Sequence, residues 1–232
     1  MSLMMVLVIS GFSYSYLGPS VTLRVTVSLL LTLTFTNIFM SYMLELQRGL
    51  EQHAIIDPLT GVYNRRRFDS DLEHAIALRS RSDNPSSLLL IDIDHFKTIN
   101  DEFGHATGDL VLRDVAAIVH DTLRQSDSLF RLGGEEFAVL MPNTSSELTA
   151  MVAERIREAV SNATLVNNRP VTISIGFDEF YLNEDSSGLL HRCDVALYRA
   201  KELGRNRVES CRLLLAQFAE QPGTDNGKNR TA

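Results

Sequence analysis

From Val25 to Leu44 the chain shows no alternation of apolar and polar positions; VTVSLLLTLTFTNIFMSYML carries no charge at all. About 20 such residues are what a helix needs to cross a hydrocarbon core about 30 Å thick, so this run predicts a transmembrane helix. Ahead of it, Ser2 to Leu17 is shorter and richer in Ser and Tyr and reads as a marginal second span, with Gly18-Pro19-Ser20 as the turn between them. A cleaved leader fits less well, because no basic residue precedes the apolar stretch and no small-residue cleavage pattern stands out. Residues 1–44 are therefore expected to form a membrane segment. Arg48, Arg65, Arg66 and Arg67 follow it, and basic residues beside a span stay on the cytoplasmic side.

Residues 45–56 read as a helical linker. Phe39, Met43, Leu46, Leu50 and His53 follow a 4,3,4,3 spacing. That fits either the seam of a short parallel coiled coil or a plain helical connector, since the seam covers only about two heptads and Gly49 interrupts it. Beyond the linker the pattern changes. SLLLIDID, from Ser87, is a continuous apolar run ending in carboxylates, as expected of a buried central strand whose end opens onto a site. A helical segment follows, in which Gly108 to Arg124 places Leu110, Val111, Val115, Ile118, Val119 and Leu123 along one face. SLFRL and EEFAVLM read as two strands of a hairpin turned by Gly133-Gly134, both able to take positive φ. Ser145 to Asn162 reads as a helix, Val171 to Phe177 as a strand, Leu189 to Leu203 as a helix, and Asn206 to Glu209 as a last short strand. Alternating strands and helices with one tight hairpin predict an α+β fold, a mixed α/β sandwich whose helices cover a central sheet containing antiparallel pairs. The remainder, 210–232, reads as a tail, polar from Gln221 and disordered at its end.

Charge sharpens this division. The only charged residue from Met1 to Leu44 is Arg24, so all 29 acidic residues and 21 of the 22 basic ones lie in the body. An acidic body argues against a nucleic acid polymer as partner, which requires clustered Lys and Arg, while a nucleotide held through a metal stays allowed. The two cysteines, Cys193 and Cys211, have no zinc or disulfide spacing and fit a reducing compartment.

Asp92 and Asp94 stand two apart on the predicted strand, so both carboxylates point to one face at its carboxyl end. Carboxylates there suit magnesium, which takes one or two of them together with substrate phosphates and water. An Asp-x-Asp alone is equally a solvated or capping pair. A second acidic pair, Glu135 and Glu136 just after the glycine turn, could be brought to the same ion by a hairpin packed beside that strand.

GGEEF at Gly133 to Phe137 resembles the signature of the GGDEF family of diguanylate cyclases, in which either Asp or Glu stands third. Asp57-Pro58-Leu59-Thr60-Gly61 with Asn64-Arg65-Arg66 is similar to the family's opening motif, and DIDHFKTINDEFGHATGD from Asp92 to Asp109 to its nucleotide-binding stretch. Asp194, Lys201, Gly204, Arg205 and Asn206 match its closing motif. The four motifs occur in order, and the resemblance implies a catalytic domain at 57–209 with a nucleotide-cyclase or polymerase-palm-like architecture.

The resemblance further implies that Asp92, the Ile93 carbonyl and Glu135 bind magnesium, with manganese as the alternative ion, on the phosphates of GTP. Gly133 and Gly134 would let ribose and phosphate approach the backbone, and Lys97, Lys201 and Arg205 would offset phosphate charge. Asn100 and Asp109 would read guanine, an amide serving O6 or N7 and a carboxylate accepting from N1 and the 2-amino group. His105 belongs to the same substrate-binding stretch, although it and His95 also read as packing or hydrogen-bonding histidines. Glu136 either takes a proton from the attacking 3′-hydroxyl or holds a second metal, and Asp94 either ligates or orients. Phe96, Phe103 and Phe137 read as core. Arg124-x-x-Asp127 and Arg155 match positions at which family members bind their own product as inhibitor, and as bare residues they read as a helix-end ion pair worth about 0–1 kcal/mol. Cyclic di-GMP has two identical links, so a homodimer is implied, on the inner (cytoplasmic) membrane with its catalytic domain in the cytoplasm. The alternative is a catalytically silent domain that binds GTP or cyclic di-GMP.

Overall fold

The structure is a computed structural model that describes Met4 and residues 18–79, 81, 84–166, 169–182 and 184–211, without the side chains of 47–53. The marginal span at 2–17, apart from Met4, and the tail from 212 lie outside the described residues. The chain divides into two compact units, Met1–Ala54 and Ile55–Ala232.

The first unit is described by one helix, α1 (Pro19–His53), which starts six residues ahead of the expected span and runs through Gly49 without a break. Gly18 takes a positive φ of 79° and Pro19 stands at the first helical position, where its missing N–H costs nothing. Over Pro19–Leu46 the helix is long and apolar enough to cross a membrane. Leu31, Phe35 and Ile38 are exposed on it. Its threonines turn their hydroxyls back onto the carbonyl one turn earlier, Thr26 to Thr22, Thr32 to Ser28 and Thr36 to Thr32, which satisfies these polar groups within the helix itself.

In the second unit the elements are β1 (Tyr63–Asn64), α2 (Arg65–Arg79), β2 (Ser87–Ile93), α3 (Phe96–Phe103), α4 (His105–Thr122), β3 (Ser128–Gly133), β4 (Glu136–Met141), α5 (Ser146–Asn162), β5 (Ile173–Glu179), α6 (Ser186–Glu202) and β6 (Val208–Ser210). They build a six-stranded sheet in the order β1-β3-β4-β2-β5-β6. β2 is antiparallel to both β4 and β5, β3 and β4 form the hairpin, and the edge strands add in parallel. The inner four strands and their helices follow a β-α-β-β-α-β path of the ferredoxin-like kind. The expected mixed α/β sandwich is what forms.

β2 is central and buried along its whole length, which explains its unbroken apolar run. Its odd positions, Leu89, Ile91 and Ile93, pack with Val111 and Val115 of α4 and Val152 and Ile156 of α5. Leu88 and Leu90 face the other way, against Phe68 and Leu72 of α2 and Leu189, Cys193 and Leu197 of α6. α6 sits directly on β5 at Gly176, where an added Cβ would lie 2.2 Å from the Leu197 amide nitrogen and 2.4 Å from the Cys193 carbonyl. Asp185 caps α6 by accepting from the Gly188 amide at 2.8 Å.

Four details differ from the sequence expectation. The apolar pattern predicts neither α2 nor α3; α2 buries only Phe68 and Leu72 among its fifteen residues. The hairpin turn consists of Gly134 and Glu135, not Gly133 and Gly134, because the register shifts between Arg131 and Gly133 and leaves Gly133 paired with Glu136. Glu135 therefore belongs to the turn instead of opening the strand. His95 is exposed and left-handed (φ 56°) at the start of α3, so it is a backbone corner and not a packing residue.

Candidate active site

The carboxyl end of β2 is where the acidic pairs meet. Register places Asp92 opposite Glu136 on β4 and Ser174 on β5, so the Asp92 and Glu136 side chains share one face, with Cβ atoms about 4.5–5.5 Å apart as in any direct cross-strand pair. The neighbouring turn is held to the strand end by the Ile93 amide donating to the Glu135 carbonyl at 3.4 Å. Arg131 braces the turn from beneath, donating to the Gly134 carbonyl at 2.8 Å and to Asp57 at 3.1 Å. Gly134 needs its glycine, with φ at 53° in the turn itself.

The carboxylates act on one another. Asp92 is buried, and that burial pushes its carboxyl above the usual range; the Lys201 ammonium at 2.7 Å opposes the rise and the Asp94 charge adds to it. Glu135 is likewise pushed up, first by burial and then by the Asp92 charge, with Glu136 adding a smaller push. Lys201 and Arg205 both lower Asp92, so two of the three expected phosphate cations converge on the strand end. Asp94 accepts from the Ser174 and Thr172 hydroxyls at 2.6 and 2.7 Å and from the Asn206 amide at 3.0 Å.

Asn100 on α3 lies against Gly108 of α4, the residue before Asp109, where the two helices meet at Gly104. A Cβ on Gly108 would lie 2.0 Å from the Asn100 side-chain oxygen, so the glycine is the space that the amide occupies. Lys97 and His105 are exposed at the first turns of α3 and α4. Phe96 and Phe137 are core, and Phe103 packs against it.

A second group lies at the other end of α4. Arg155 donates to the Thr122 carbonyl at 2.7 Å, beside Arg124. Asp127 accepts from the Arg124 amide at 3.1 Å; this backbone turn, not an ion pair between the side chains, joins the two among the described residues. A cavity of about 510 Å³ lies against Arg124 and Asp127 and reaches Gly61, Val62 and Tyr63.

Arg131, Thr172 and Ser174 were not singled out from sequence. Arg131 stands just before GGEEF, but its partner Asp57 is distant in the chain, and no local pattern joins them. The donor set at the strand end consists of hard carboxylate oxygens plus the β2-terminal carbonyl, which suits magnesium or manganese. Lys201 already places a cation on Asp92. No cluster of three His, Cys, Asp or Glu side chains fit to cage a metal exists among the described residues.

Comparisons with known proteins agree with this geometry. A sequence model of the family described as "Diguanylate cyclase, GGDEF domain" matches residues 54–207. The diguanylate cyclase DgcP of Pseudomonas aeruginosa is 44% identical over 161 residues, covering 68% of this chain and 24% of that protein. The crystal structure of the GGDEF domain of DgcB from Caulobacter crescentus in complex with c-di-GMP is 37% identical with a TM-score of 0.66, covering 68% of this chain and 96% of that one. The active GGEEF domain of a diguanylate cyclase from Vibrio cholerae is 36% identical with a TM-score of 0.61, covering 63% and 95%. The chain spans less than half the length of each of the first curated relatives it matches. With its sheet order, its GGEEF turn and the match across residues 54–207, the chain belongs to the GGDEF-domain family of diguanylate cyclases.

Proposed function

We propose that this chain is a membrane-anchored diguanylate cyclase, joining two GTP into cyclic di-GMP with release of two pyrophosphates. The observation that carries this reading is the register that sets Asp92 opposite Glu136 and folds Glu135 back onto the same strand end, with Lys201 and Arg205 converging there.

Asp92, Glu135 and the Ile93 carbonyl would hold magnesium on the triphosphate. Bound there, the ion would polarise the α-phosphate and screen the charge of the leaving group. Asn100 and Asp109 hold the guanine, the space at Gly108 fixing the amide. Lys201 and Arg205 bind the triphosphate and then stabilise the departing pyrophosphate. Lys97, exposed on α3, and His105 add contacts at the phosphate and ribose edge. Glu136, exposed beside Asp92, takes the proton of the attacking 3′-hydroxyl as general base.

One domain holds one GTP, so the attacking hydroxyl arrives on a second copy and the active species is an antiparallel homodimer. α1 is the anchor, placing the catalytic domain at 57–209 on the cytoplasmic face, and its packing sets how often two domains meet. Arg124, Asp127 and Arg155 bind the product and hold the domains apart, as their placement around one end of α4 supports. A silent nucleotide-binding domain is the weaker reading, because metal, base and phosphate positions all carry competent side chains.

The test is incubation of the purified full chain with GTP and magnesium, with products separated by mass. Cyclic di-GMP and pyrophosphate in a 1:2 ratio are expected. GTP bound and recovered intact would overturn the cyclase reading in favour of the silent one.

A further inference from the structure

Asp94 is almost wholly buried, 5% exposed, one residue past β2 and two past Asp92. Its three donors come from three places: the Thr172 hydroxyl ahead of β5, the Ser174 hydroxyl within β5, and the Asn206 backbone amide after α6. A carboxylate offers about four lone-pair sites, and three are taken by these donors. Ligating a metal as well would mean giving some of them up.

The turn that Asp94 holds is a strained one. Gly204, Arg205 and Asn206 have φ of 113°, 64° and 45° in succession, and only the first is a glycine. Side-chain-bearing residues keep the left-handed conformation only where their surroundings over-determine it. Here the surroundings are few and specific: the Arg205 amide donates to the Ala200 carbonyl at 3.0 Å, the Asn206 amide to Asp94, and Arg157 of α5 to the Asn206 side-chain oxygen at 2.9 Å. The turn carries Arg205, whose charge reaches Asp92.

We propose that Asp94 is a positioning residue that latches the Gly204–Asn206 turn and so aims Arg205 at the phosphate end of the active site. The consequence for turnover rests on the cyclase reading above; the latch itself does not. Asp92 and Asp94 thus divide the work of one motif, the first facing the substrate and the second fixing the loop that grips it.

The experiment compares the full chain with Asp94→Ala, Asp94→Asn, Arg205→Ala and the Asp94→Ala/Arg205→Ala pair. Two quantities are read: kcat/KM for GTP at saturating magnesium, and hydrogen exchange at the Asn206 amide. Misplacing a gripping residue by an ångström costs up to about 100-fold, so Asp94→Ala is expected to lower kcat/KM about 10- to 100-fold. In the Arg205→Ala background the same change should cost less than about twofold, because the residue it acts through is gone. Exchange at Asn206 should rise at least about tenfold in Asp94→Ala and less in Asp94→Asn, which keeps one acceptor. Where Asp94→Ala does not fold, Asp94→Asn carries the same comparison with smaller changes. The proposal is overturned if the Asp94 variants fall short of wild type at low magnesium but match it once magnesium is saturating, if the two substitutions simply add, or if Asn206 exchange is unchanged. An inactive wild type would fault the cyclase reading alone, since Asn206 exchange still decides the latch.

Discussion

Two buried carboxylates lie on the same face of the sheet beneath α6, and the helix gives each a cation. Asp178 of β5 stands opposite Leu88, near the start of β2, and takes Arg192; Asp92 stands at the far end and takes Lys201. The first pair is closed. Arg192 donates to Asp178 at 2.9 Å and to the Glu179 carbonyl at 2.7 Å, contacts Glu184, and lies over the Tyr181 ring at 3.9 Å, while the Glu179 amide fills another Asp178 lone pair. The second pair is open. Lys201 is a single point charge, its side chain 33% exposed, set against a carboxylate that burial and Asp94 push upward. A planar fork with all three of its nitrogens engaged is a fixture; an ammonium that can reach water can give way to another cation. The same chemistry, a buried acid under α6, thus serves the fold at one end and, on the proposed reading, the substrate at the other.

Substitutions can break that contrast. Asp92→Ala is expected to lower cyclic di-GMP formation by about a thousandfold or more, in line with loss of a metal-holding carboxylate, while chemical denaturation shifts by no more than about 1 kcal/mol because Lys201 regains water. Arg192→Met should do the reverse, costing about 3–5 kcal/mol by stranding Asp178 while activity per folded molecule persists; adding Asp178→Leu should recover most of the loss. Equal stability costs for Asp92→Ala and Arg192→Met would erase the distinction. Gly108→Ala sharpens it on the guanine side: the new Cβ displaces Asn100, and KM for GTP should rise about tenfold, the worth of one lost base hydrogen bond, with the preference over ATP reduced.

The smallest effect is in pH. Asp92 and Glu135 have folded pKa values above their ordinary ones, so the native state binds more protons in that window. Their contribution to stability is full below the ordinary carboxylate range and is lost as pH rises through the raised values. Denaturation in chelator should show this decline, and Asp92→Asn should flatten it.

Strands and helices with continuous or periodic apolar runs were legible from sequence: β2, the β3–β4 hairpin, α5 and α6. The layering of α2 was not, since RRRFDSDLEHAIALR announces no apolar face. The one-residue offset of the turn arises from the shift after Arg131, a backbone event that no residue type signals. At the candidate site, Asp92, Glu135 and Glu136 stood out because glycines and carboxylates mark a motif locally. The bracing by Arg131, Thr172 and Ser174 joins residues far apart in the chain, and only the folded register brings them to Asp57 and Asp94.

The account turns on Asp92 and Glu135 sharing a cation with a triphosphate. Binding of manganese to the GTP-loaded full chain, followed by electron paramagnetic resonance, tests this directly. Protein-bound manganese that is retained in wild type and weakened about 100-fold or more in both Asp92→Asn and Glu135→Gln is the predicted result. Wild-type affinity surviving either substitution would contradict it.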